Sequence, residues 1–304
     1  MSTSGNPDRL PTAAIAEALL ISAIWGFNFV VIKVGVAGVP PFMLAALRFV
    51  FCVFPAIIWI RKPAASWGAL AAYGLFLGVV EFGFLFTAIK LGAPAGLSSL
   101  VLQSQAFFTA LIAAAFLKER IRLNNVLGMV VAGAGLAVIA MAEASSAGGA
   151  ARMSPPLFMM VIAAALGWAA ANVIARTMPG TSGLGLMVWS SLFSPLPLAM
   201  LSLFFEGPER IAGALRNMSW LSVGALAYLV VLSTLVGYGL WNRLIMRHGA
   251  GRIAPFSLLV PIFGVASAAL LLGESITALD AVAAVLILAG LSIHAFGSGM
   301  ARRR

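Results

Sequence analysis

The chain has 304 residues, 62% of them hydrophobic and only 9% charged, with 19 basic against 9 acidic side chains for a net charge of +10. A soluble domain of this length needs far more polar surface, so composition excludes a soluble globular fold and points to a bilayer. The single cysteine, Cys52, lies inside an apolar run, which excludes a disulfide framework and a cysteine-rich metal site.

Crossing a bilayer takes ~20 apolar residues per helix. Stretches of that kind follow one another at 12–32, 41–60, 68–90, 95–117, 124–142, 154–175, 182–205, 219–242, 252–273 and 277–297. The runs are long and do not alternate, which argues against a transmembrane barrel. The first run continues into Trp25, Asn28 and Lys33 without a small-residue cleavage site, and reads as a retained helix rather than a signal peptide. The expected fold is an all-α integral membrane protein of ten transmembrane helices. Five lie in 11–143 and five in 154–297, with a small-residue linker at 144–153 and a basic tail at 298–304.

The two halves repeat each other. At an offset of 155, residues 92–121 fall on 247–276, so that Ala95 meets Ala250, Gly96 meets Gly251, Glu119 meets Glu274 and Ile121 meets Ile276. Tyr73 meets Tyr228 and Gly135 meets Gly290 in the same register. Nearer the start the offset is 143, where Trp25 meets Trp168 and Lys33 meets Arg176; a longer polar connection at 206–218 accounts for the change. Such a repeat in an apolar chain is the mark of a transporter built from related halves. Five helices per half is an odd number, so the second half starts on the opposite side of the membrane and the repeats are inverted. Nine helices would leave them parallel.

Charge fixes the expected orientation. With the N-terminus in the cytoplasm, the inside segments carry 13 basic residues and the outside segments 5 (Lys33, Lys90, Arg152, Arg210 and Arg216). That bias places both termini in the cytoplasm. It also explains the basic excess as topology rather than nucleic-acid binding.

Polar groups inside apolar spans are expensive and mark interfaces, wet cavities or sites. In the first span Trp25 and Asn28 share a helical face, as Trp168 and Asn172 do in the matching helix. They form either an aromatic–amide face for a small zwitterion or an interhelical packing contact. Arg48 lies roughly 10 Å from the outer end of its span and Glu81 roughly 20 Å from the inner end of its own, at similar depths. A pair between them is either structural or a gate or carboxylate anchor. The fourth span carries Ser98, Ser99, Gln103, Gln105 and Thr109, with Ser98, Gln105 and Thr109 on one face. Thr234, Tyr238, Trp241 and Asn242 form a stripe in the eighth, where Trp241 also suits the membrane interface. Pro255 and Pro261, Pro195 and Pro197, and Pro55 allow bends. His294 reads as a buried or interfacial histidine rather than a proton relay.

Enzyme signatures (HExxH, a Walker A loop, GxSxG) do not occur, and the only histidines, His248 and His294, lie in different segments. No enzymatic activity, metal or cofactor is expected.

Four blocks, WGFNFVVIKVG (25–35), PAGLSSLVLQSQAFFT (94–109), VGYGLWNRL (236–244) and APFSLLVPIFGVASAALLLGE (254–274), resemble the EamA-type transporters of the drug/metabolite transporter superfamily. Within it the likeness is closest to bacterial exporters of amino acids and their derivatives, such as the cysteine/O-acetylserine and aromatic amino acid exporters. The resemblance implies two inverted five-helix EamA repeats around a central cavity, and efflux across the bacterial inner membrane. It does not fix the substrate, the coupling or the oligomeric state. With that resemblance, the chain reads as an alternating-access exporter of amino acids or close metabolites, broad in selectivity. Trp25, Trp168 and Tyr238 would contact the side chain, while Asn28, Asn172, Gln105 and Ser98 would take the ammonium and carboxylate. The expected partners are the small-molecule substrate and the lipid bilayer, with no nucleic acid. The alternatives are efflux of amphipathic drugs or, more remotely, a membrane-embedded enzyme or scaffold.

Overall fold

The computed structural model describes residues 10–144 and 153–300. Residues 145–152 of the linker and 301–304 of the basic tail lie outside these residues. Among them there is no strand. Nine helices are long and apolar enough to cross a membrane: Thr12–Gly38, Pro41–Ile58, Trp67–Lys90, Ala95–Leu117, Leu123–Ala142, Pro155–Arg176, Trp220–His248, Ala254–Leu272 and Ala278–Ala295. A tenth, Gly183–Phe193 with Pro195–Phe205, is bent by 45°. With the bent pair counted as one span, these are the first to tenth spans in chain order, and five in each half makes the halves inverted. The first and eighth run one to two turns beyond the apolar stretches read from the sequence.

Local chemistry sets where the spans begin and end. Ser66, Ser182 and Ser219 precede the third, seventh and eighth spans, and each hydroxyl accepts the N–H of the residue three positions on. Pro41 and Pro155 open the second and sixth, where a missing N–H costs nothing. In the seventh span the chain bends ahead of Pro195, whose ring cannot continue the ladder below it. The fourth span stops at Lys118 and the ninth at Gly273, two residues matched by the 155 offset, both left-handed with φ of 56° and 66°. The extra length before the eighth span is a nine-residue helix, Pro208–Arg216, which buries its own Ile211.

Packing follows the inversion. The first span packs on the ninth and eighth, and the sixth packs on the fourth and third. The second with the seventh, the fourth with the ninth, and the fifth with the tenth make the remaining large contacts. Exchanging the halves turns each of these pairs into another or into itself. The fifth and tenth spans meet backbone to backbone: a Cβ on Gly128 would lie 2.6 Å from the Gly290 carbonyl, and one on Gly135 2.9 Å from that of Ala283. Close approach through small residues is how helices associate where lipid is as apolar as leucine. The outward faces remain apolar and exposed, at Val130, Leu196, Leu270 and Val285 among others. That is the arrangement a hydrocarbon surround permits.

Candidate functional site

Two stretches of π-helix, Leu75–Glu81 in the third span and Tyr228–Val236 in the eighth, stand at positions related by the 155 offset. The wider turn loosens the usual carbonyl pairing, and such segments cluster at functional sites. Here side chains meet the displaced carbonyls. Thr234 Oγ1 donates to the Leu229 oxygen at 2.7 Å, and Trp25 Nε1 donates to that of Ser233 at 2.9 Å. Gly237 makes room for the indole, since a Cβ there would lie 2.7 Å from Trp25 Nε1. On the third span, Ser194 Oγ donates to the Gly74 oxygen at 2.9 Å.

Trp25 anchors an aromatic cluster. Its ring centre is 5.4 Å from that of Tyr238 and 5.2 Å from that of Trp241. Trp241 is thus part of this cluster. Trp168 follows Gly167, where a Cβ would come within 2.9 Å of both the Glu81 nitrogen and the Phe76 oxygen. The sixth span therefore lies directly on the first π-helix.

Across the sixth and fourth spans the amides are joined. Asn172 Nδ2 donates to Gln105 Oε1 at 2.8 Å and to Thr109 Oγ1 at 3.4 Å. This leaves the Gln105 amino group and Asn172 Oδ1 with no partner among the described residues. Asn28 is buried with its Oδ1 unpartnered, and so is the Ser98 hydroxyl. The stripe Ser98–Gln105–Thr109 assumes an unbroken helix. The structure instead breaks the α-helix at Gln103 and Ser104, between Ala95–Leu102 and Gln105–Leu117. The register that aligned Ser98 with Gln105 is lost at that turn, while Gln105 and Thr109 stay together.

Arg48 and Glu81 are both in the buried interior, at 1% and 3% exposure, yet they do not form the direct ion pair that their depths suggested. Arg48 turns to the eighth span, where Nη2 donates to Thr234 Oγ1 at 3.1 Å, and its guanidinium lies 4.0 Å from the centre of the Phe82 ring. Nε and Nη1 have no partner, and neither does Glu81 Oε2. Cys52 is a further hydrogen-bonding neighbour of Arg48, and Tyr238 and Glu81 lie within electrostatic range of it. Thr234, Phe82 and Ser233 thus join the candidate site, and of these three the sequence signalled only Thr234.

Ion pairs stand at the two ends of the bundle. Lys33 Nζ lies 2.8 Å from Glu274 Oε1, and Arg176 Nη1 lies 2.8 Å from Glu119 Oε2. Both partners are exchanged by the repeat, so one contact is the image of the other. Glu274 also accepts from the Ala95 and Gly96 backbone nitrogens at 2.8 and 2.9 Å, the favourable place for an anion at the N-terminus of the fourth span. Glu206 does the same for the second span, accepting from Phe42 at 2.7 Å and Met43 at 3.3 Å while Ser202 donates to its carboxylate. A cavity of about 670 Å³ beside Lys33 and Glu274 is lined by the fourth, ninth and tenth spans.

Residues 12–141 and 156–296 each match the EamA-like transporter family. The chain belongs to that family. Among its relatives are two proteins named "Probable amino-acid metabolite efflux pump". The one from Salmonella typhimurium is 44% identical and the one from Escherichia coli 42%, each over 92% of this chain and 94% of the relative. A "Probable terminal-alkyne amino-acid exporter" from Streptantibioticus cattleyicolor is 26% identical over 92% of both chains. A solved crystal structure superposes with a TM-score of 0.61 at 20% identity, covering 97% of this chain and 99% of the other, which establishes the shared fold. EamA-like family membership and the apolar spans make the protein a multi-pass membrane transporter.

Proposed function

We propose that this protein exports amino acids or closely related metabolites across the bacterial inner membrane, with both termini in the cytoplasm. Relatives sharing 44% and 42% identity along nearly their whole length carry the names of amino-acid metabolite efflux pumps, and that observation carries the reading. The inverted halves support alternating access, in which they rock about a site near the midplane. The image-related ion pairs Lys33–Glu274 and Arg176–Glu119 sit where the two gates of such a cycle belong. Trp25, Trp168 and Tyr238 offer apolar faces to a side chain, and Asn28, Asn172, Gln105 and Ser98 offer amide and hydroxyl groups. A lining that reads an apolar surface more than a fixed hydrogen-bond pattern suits broad selectivity. The repeat units are 11–143 and 154–297.

The test is uptake into proteoliposomes of a panel of radiolabelled L-amino acids, with and without a pH gradient. Uptake of several above protein-free vesicles is the expected result. If none moves, the amino-acid assignment falls; accumulation of amphipathic dyes instead would favour drug efflux.

A further inference from the structure

We propose that Arg48 and Glu81 are the head-group anchors of the transport site, Arg48 taking a carboxylate and Glu81 an ammonium, so that the cargo must carry both. The proposal rests on the exporter reading above and narrows it to zwitterions.

The first support is what the two side chains lack. A charge inside a membrane bundle survives only with partners, and each unmade hydrogen bond there is costly. Arg48 donates to Thr234 and also lies against the Cys52 thiol, yet it leaves Nε and Nη1 without a partner at 1% exposure. Glu81 leaves Oε2 unpartnered at 3% exposure. Opposite charges within range of each other would ordinarily close into a pair. Here the guanidinium is instead held by Thr234 and stacked on Phe82, so Nε and Nη1 stay unused. An α-amino acid carries both complements on one carbon, a carboxylate for the unused guanidinium donors and an ammonium for the unpartnered Glu81 oxygen.

The second support is position. Glu81 ends one π-helix and Thr234 lies in the other, so both anchors are held by the loosened segments of the third and eighth spans. Tyr238 is within electrostatic range of Arg48 and packs on Trp25, which puts an aromatic wall beside the charges for the side chain of the cargo. The third is asymmetry. The repeat places Val236 opposite Glu81, and Ser191 or Leu203 opposite Arg48 depending on the offset. The second half therefore carries no duplicate charges, and the inverted frame holds one head-group site.

The test is counterflow in proteoliposomes with the twenty common L-amino acids, their α-amides and their N-acetyl derivatives. Wild-type protein should exchange amino acids at least about tenfold faster than either blocked form. Arg48→Gln should lose about 100-fold in kcat/KM for the amino acids, the scale expected when one partner of a buried charge pair is removed, while the amides change little. Glu81→Gln should do the same with the N-acetyl series as the unaffected class. Arg48→Lys keeps a cation and should retain the preference for free carboxylates at reduced affinity, so a misfolded glutamine variant does not end the test. Blocked forms carried as fast as amino acids by the wild type, or unchanged amino-acid exchange in either glutamine variant, overturns the proposal and leaves the exporter reading standing. Failure of every amino acid in the wild type overturns both.

Discussion

Glu274, from the second half of the chain, closes on Lys33 of the first at 2.8 Å, and its carboxylate also caps the amides of Ala95 and Gly96. One side chain thereby ties the first, fourth and ninth spans together at one end of the bundle. Glu119 and Arg176 repeat the ion pair at the other end, where both side chains are more exposed. If these contacts are gates, they must open in turn. Glu274→Ala removes the ion pair and both caps, and should cost about 1–2 kcal/mol of stability. Glu274→Gln keeps an acceptor oxygen for the amides and should cost less. The exchanged double variant Lys33→Glu with Glu274→Lys should recover transport only in part, because a lysine cannot cap the fourth span. Thermal unfolding in detergent and proteoliposome exchange measure the two effects.

How much of this the sequence disclosed depends on the kind of information needed. Apolar runs located all ten spans, because length and hydropathy are one-dimensional quantities. The offset identified Lys33 with Arg176 and Glu119 with Glu274 as equivalents, but equivalence is not adjacency. The cross-pairing arises because inverted halves interlock, which only the assembled bundle reveals. Depth counting put Arg48 and Glu81 in the interior correctly and missed their directions, since the π-helices at Leu75–Glu81 and Tyr228–Val236 shift side-chain phase with no signature in composition. The break at Gln103 and Ser104 displaced Ser98 for the same reason. In the sequence Glu206 only opens the polar connection at 206–218, and its role as a helix cap arises from the packing of the second span on the seventh.

Lys118 carries a left-handed backbone at φ 56°, where its image Gly273 holds the same conformation without a Cβ. Lys118→Gly should therefore leave the fold intact and raise stability by up to about 1 kcal/mol, and Gly273→Ala should lower it by about 1 kcal/mol. Apparent unfolding midpoints of the two variants should move in opposite directions.

The fifth and tenth spans cross where a Cβ on Gly290 would stand 2.5 Å from the Gly128 carbonyl. Backbone cannot yield as a flexible side chain can. Gly290→Leu should destabilise by more than the ~1–3 kcal/mol of ordinary overpacking, read as loss of monodisperse protein on size exclusion. Gly133→Leu on the same fifth span is the control, because a Cβ there meets nothing within 4 Å.

The amide bridge between Asn172 and Gln105 can be weighed by a double-mutant cycle. Interhelical hydrogen bonds in membranes average about 0.6 kcal/mol. Asn172→Ala and Gln105→Ala together should therefore cost about that much less than the sum of the single variants. If the free amide groups also face the cargo, each single variant should raise KM for transported amino acids several-fold with kcat less changed. A purely structural bridge would move the unfolding midpoint and leave KM alone.

The central claim is tested most directly by amino-acid flux through the purified, reconstituted protein. Vesicles preloaded with unlabelled amino acid are mixed with the labelled form outside, and the initial exchange rate is compared with that of protein-free vesicles. The account predicts exchange well above the protein-free rate for a group of L-amino acids, with competition among them. Rates equal to those of protein-free vesicles across the whole set would contradict it.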